Sequence, residues 1–132
     1  MKSSPLNSND NPPVGSASNP HDNPCLERDS TIAALEAIAD NGISYLLPYA
    51  QFLYAERIPN PQLEKEPDAP PEKMLMQFAA GDVVVLGSGL KRLEMNLQKY
   101  ELKFIKSADR RLAATLNTHI AAVTVNLNKE SL

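Results

Sequence analysis

Residues 28–42 read RDSTIAALEAIADNG, and whether this run is a helix or a strand decides which class of fold the chain enters. Ile32, Leu35 and Ile38, joined by Ala34 and Ala39, recur at helical spacing along one stripe. Asp29 or Ser30 can cap the first free amides, and Asn41-Gly42 can supply the left-handed stop. The expectation is a short amphipathic helix whose apolar stripe is covered by another part of the chain.

Before this run, residues 1–26 are Ser, Asn, Pro, Asp and Gly with only isolated apolar residues such as Leu6 and Val14. They bury too little to offset the entropy of ordering, so a disordered tail is expected there. Cys25 and His21 fall in that tail, where a mobile pair cannot hold catalytic geometry. As the single cysteine, Cys25 has no intramolecular disulfide partner and cannot anchor a cysteine-based zinc site. No apolar run follows Lys2 and no window approaches the ~20 apolar residues of a membrane span. A cytoplasmic protein without signal peptide or membrane anchor is expected.

After it, ISYLLPYAQFLYAERI (43–58) fits a helical face or an edge strand, and its β-branched and aromatic content tilts the reading to strand. Tyr45, Tyr49, Phe52 and Tyr54 gather four of the seven aromatic residues in ten positions. Such a cluster is core packing or a partner surface. Residues 59–73 form a Pro-rich loop with five prolines between 59 and 71, because proline lacks the amide that a helix interior or central strand needs.

From Met74 the alternation of Met74, Met76 and Phe78 with Leu75, Gln77 and Ala79, a turn at Ala80-Gly81-Asp82, and the apolar run Val83–Leu86 predict a β-hairpin covered on both faces. A helix with Leu90, Leu93, Leu97 and Tyr100 on one stripe follows, then a strand in ELKFIKS. Next comes a short helix in SADRRLAATLNTH, capped by Ser107, and a last strand in IAAVTVNLN. The predicted architecture is one small α+β domain over 27–132, a β-hairpin and further strands packed with two or three short helices.

GDVVVLGSGLK (81–91) places Gly87-Ser88-Gly89 between a strand and a helix, where free amides and the helix dipole favour anions. A dinucleotide fingerprint would need a third glycine at position 92, which is Arg92, and the phosphate-loop ending is missing too. A corner with Ser88 as cap and Gly89 allowing close approach explains the same residues.

Net charge is −3, but residues 1–90 carry five Lys/Arg against twelve Asp/Glu, and residues 91–132 carry eight against four. With Ser88 and Gly89, the cations Lys91, Arg92, Lys99, Lys103, Lys106, Arg110 and Arg111 form a candidate anion-binding set, Arg92, Asn96, Lys99 and Lys103 falling along the polar side of the helix. No nucleic-acid motif accompanies them.

His119 is the one histidine of the structured part, in LNTHIAAV, where a lone loop histidine reads as a turn residue rather than a base. The acidic residues Glu64, Glu66, Asp68 and Glu72 lie in the Pro-rich loop, where rigid metal geometry is not expected. No catalytic set, cofactor or metal site is assigned. The expected function is non-enzymatic binding, through self-association and a protein partner, with nucleic-acid or polyanion binding by 91–111 as the alternative.

Overall fold

The computed structural model describes residues 23–128. They form β1 (Leu26–Arg28), β2 (Ala34–Ile38), β3 (Ser44–Pro48), β4 (Phe52–Pro59), β5 (Glu72–Phe78), β6 (Gly81–Ser88), α1 (Lys91–Gln98), β7 (Leu102–Ile105) and β8 (His119–Leu127). Single 3₁₀ turns occupy Tyr49–Gln51, Pro61–Glu64 and Arg110–Leu112. No helix of the described residues is long and apolar enough to cross a membrane.

The strands make two four-stranded sheets, ordered β1-β7-β2-β3 and β4-β5-β6-β8. Neighbours are antiparallel throughout except β2 and β7, which run parallel. The chain passes from one sheet to the other at the Tyr49–Gln51 turn. Leu35, Leu47 and Ile105 of the first sheet and Met74, Met76, Phe78, Val83, Val85 and Val123 of the second enclose one core, closed by Leu93 and Leu97 of α1. Each fully buried large side chain contributes roughly 1.5–3 kcal/mol relative to exposure.

Two expected helices are absent, which corrects the α+β reading to a β-rich domain with a single α-helix among the described residues. The run 28–42 contains β2, paired with β3 from Ala34↔Pro48 to Ile38↔Ser44. Leu35, Ala37 and Ala39 point inward and are buried, whereas Ala34, Glu36 and Ile38 are only half covered. Period two therefore accounts for the run better than the helical stripe. A helix of this length is marginal alone, and pairing with β3 and β7 overrides its local propensity. Asn41-Gly42 serves the hairpin turn instead of a helix end: Asn41 Oδ1 accepts from Ile43 N–H at 2.9 Å, and Gly42 has φ +89°.

The expected 107–119 helix reduces to the Arg110–Leu112 turn, none of whose residues is buried. With no face to pack, nothing offsets the cost of extending it. Its cap is Asp109, whose Oδ1 accepts from Arg111 N–H at 2.8 Å, not Ser107.

The tail expected at 1–26 lies outside the described residues up to 22, but its last residues are built into the core. Cys25 is fully buried, its carbonyl accepts from Lys106 N–H at 2.9 Å, and its Sγ accepts from Ile120 N–H at 3.3 Å.

The hairpin β5–β6 pairs from Glu72↔Gly87 to Phe78↔Gly81. α1 ends in two back-bonds, Tyr100 N–H to Leu97 O at 3.0 Å and Glu101 N–H to Asn96 O at 2.9 Å, with Tyr100 at φ +56° in the position that glycine usually fills. Stacking of Tyr100 on Tyr49, centroids 5.0 Å apart, helps hold that strained residue.

Candidate functional site

The outer face of the second sheet is roofed at one end. Leu86 and Ser88 of β6 and His119 and Ala122 of β8 lie on that face, in cross-strand register Leu86↔Ala122 and Ser88↔His119. The 60–71 loop rises on the β5 side and the 106–118 segment on the β8 side, leaving a cleft of about 460 Å³. Glu66, Asp68, Pro70 and Pro71 come from the first loop and Ala108, Arg110 and Ala113 from the second.

Both walls are tied down. Buried Asn60 donates its backbone N–H to Pro71 O at 2.9 Å and its side-chain amide to Pro70 O at 2.8 Å, closing the Pro-rich loop at its base. Ala108 N–H donates to Ile120 O at 3.0 Å, and His119 Nε2 lies 3.1 Å from the carbonyl oxygens of Ala108 and Asp109. Backbone and guanidinium hydrogen bonds from Arg111 hold the Asp109 carboxyl below its ordinary range.

The Gly-Ser-Gly corner divides between two roles. Ser88 lines the cleft, but the helix start is met by the chain's own carboxylate: Glu72 Oε1 accepts from Leu90 N–H at 2.8 Å. Glu72 in turn lies 4.0 Å from Arg57, which also pairs with Glu94 at 3.1 Å, and Glu94 pairs with Lys91 at 3.3 Å. The glycines answer to β8. A Cβ on Gly87 would collide with the His119 carbonyl oxygen, and one on Gly89, at φ +63°, with that of Asn117.

The expected cations do not gather on one element. Lys91 and Arg92 begin α1, Lys99 follows it, Lys103 sits in β7, Lys106 follows β7, and Arg110 and Arg111 lie in the 3₁₀ turn. Lys91 is paired as above, Lys103 pairs with Glu27 at 3.5 Å, and Arg111 with Asp109 at 3.2 Å. Asn96, expected on the polar side of the helix, is buried.

The aromatic cluster also divides. Tyr49 is buried and donates its hydroxyl to Leu102 O at 2.6 Å, while half-buried Phe52 packs between Tyr49, Phe78 and Tyr100. Tyr45 is half-buried on β3, and Tyr54 alone of the four is exposed. Around it lies a feature the sequence reading missed. Nine large apolar residues are exposed among the described residues, and five of them, Ile43, Leu46, Leu53, Tyr54 and Ile58, fall in 43–58. Leu46 belongs to β3 and Leu53, Tyr54 and Ile58 to β4, the outermost strands of their sheets, and Ile43 directly precedes β3.

No family model, curated protein or solved structure matches this chain.

Proposed function

We propose that this is a binding protein that works by pairing with a second copy of itself along the 43–58 ribbon. The observation that carries the reading is the concentration of five of nine exposed large apolar side chains in 43–58, four of them on two strands that are both sheet edges. Edge strands of monomeric proteins are commonly guarded by charge, above all by lysine. Residues 43–59 hold no lysine and only two charged residues, Glu56 and Arg57, and Arg57 is engaged by Glu94. Pro48 ends β3 and Pro59 ends β4, so the outer edge of β4 from Phe52 to Ile58 is the stretch that supports added pairing.

A strand is complementary to its own copy in antiparallel orientation, since it offers donors and acceptors alike and a two-fold axis closes the pair. A net charge of only −3 opposes such pairing weakly. Part of the charge split along the sequence is resolved within the chain, where Glu27 meets Lys103, Arg28 meets Glu101 and Arg57 meets Glu94. Apolar contact therefore supports self-association better than attraction between an acidic and a basic half.

Sedimentation velocity across a wide concentration range tests this. The wild type is expected to dimerise, and the double variant Leu46→Lys, Ile58→Lys to remain monomeric with an unchanged circular dichroism spectrum. A wild type that stays monomeric at every concentration overturns the proposal.

A further inference from the structure

The cleft over β6 and β8 combines a buried hydrogen-bond acceptor with unneutralised charge on two sides. His119 is only 3% exposed, and its Nε2 lies 3.1 Å from two carbonyl oxygens. Carbonyls only accept, so Nε2 carries the proton and Nδ1 of the neutral ring is an acceptor. Nδ1 has no hydrogen-bond partner among the described residues. Yet the one fully enclosed side-chain polar atom lacking a partner there is Asn96 Nδ2. His119 lines the cleft, and Nδ1 is the ring nitrogen left without a partner among the described residues.

The walls add charge. Glu66 and Asp68 enter from the β5 side and Arg110 from the β8 side, and the ion pairs among the described residues involve other groups. The lining between them is small and apolar, with alanine at 108, 113, 121 and 122. A cleft of about 460 Å³ lies at the small-molecule end of binding sites, which run from roughly 300 to 1,000 Å³.

We infer that this cleft binds a dipeptide with small side chains. Its carboxylate meets Arg110, its ammonium meets Glu66 and Asp68, and the peptide N–H between them donates to His119 Nδ1. Of the small zwitterions, a dipeptide has a neutral donor between its two charges, as the arrangement of acid, histidine acceptor and arginine requires. The alanines leave room for methyl-sized side chains and little more.

The test titrates L-alanyl-L-alanine into the full chain, reading heat by calorimetry and the His119 ring nitrogens by ¹⁵N NMR. Saturable binding with a shift at Nδ1 is expected, and N-acetylation or C-amidation of the dipeptide should weaken it about tenfold or more, the loss of one charge-assisted contact. Arg110→Gln should weaken the free dipeptide but not its amide, and Asp68→Asn the free dipeptide but not its N-acetyl form. Both residues are exposed, so the variants should fold, as circular dichroism will confirm. No Nδ1 response at about 10 mM dipeptide, far above any useful affinity, overturns the inference. So does binding of the acetylated and amidated forms as tight as that of the free dipeptide.

Discussion

Two margins of the sheets, β8 and the 43–58 ribbon, are treated differently. Along β8, residues from outside the second sheet take up strand positions: Asp40 N–H donates to Val123 O at 3.0 Å and Asp40 Oδ1 accepts from Val123 N–H at 3.2 Å. Further along, Ala108 N–H donates to Ile120 O and Cys25 Sγ accepts from Ile120 N–H. The 43–58 ribbon instead presents Leu46 at 71% and Leu53 at 63% exposure. One margin is thus sealed by groups from three distant segments, and the other is fastened at its corner, where Tyr49, Phe52 and Tyr100 pack together, and by the Arg57–Glu94 pair. Sealing an edge takes donors and acceptors brought from elsewhere in the chain, and where the chain brings none, apolar strand surface stays available to another copy.

The largest effect is expected where the sealed side meets the helix start. Gly89→Ala puts a Cβ against the Asn117 carbonyl oxygen at a residue with φ +63°, so backbone must move. A loss of about 3 kcal/mol or more is expected, read by urea unfolding. A loss under about 0.5 kcal/mol would show that the 117–119 segment does not press on this corner.

A smaller loss should follow from opening the seal itself. Asp40→Ala removes the acceptor for Val123 N–H and should cost about 1–2 kcal/mol, with faster hydrogen exchange confined to the middle of β8. Unchanged exchange at Val123 would mean that the two margins are not distinguished in the way their hydrogen bonds imply.

How much of this could be read from the sequence depends on where each signal lives. The hairpin at 72–88 was legible because Met74, Met76 and Phe78 alternate and a turn follows, all within one stretch. The strand at 34–38 was not, since Leu35 and Ile38 share a helical stripe but fall on opposite faces of a pleat, and the deciding partners, β3 and β7, include one nearly seventy residues away. For the cleft, Ser88 and Arg110 stood in one candidate anion-binding set and His119 was noticed apart, but only the β6–β8 register and the tie at Asn60 bring the three to one place. The alanines at 108, 113, 121 and 122 were the remaining signal, four small residues where larger ones would fill the space.

The smallest effect belongs to the corner of the open margin and carries a pH signature. Burial pushes the Tyr49 phenol well above its ordinary value, and its hydroxyl donates to Leu102 O at 2.6 Å, a bond that an ionised oxygen cannot donate. Because the folded state raises this pKa, the contribution is fully present below the unfolded value of about 10 and is lost as pH rises beyond it, by up to about 1.4 kcal/mol per pH unit. Tyr49→Phe should therefore cost about 1 kcal/mol at neutral pH, for the unpaired Leu102 carbonyl. Above about pH 10 the gap between wild type and variant should narrow and then reverse, since the phenylalanine has nothing to ionise. Taking the difference between the two proteins cancels whatever they share, so the comparison isolates one hydroxyl. A gap that stays constant through that range would mean that the phenol at 49 is as accessible as its exposed neighbours, and that the corner joining β3 to β4 is as loosely held as the ribbon it anchors.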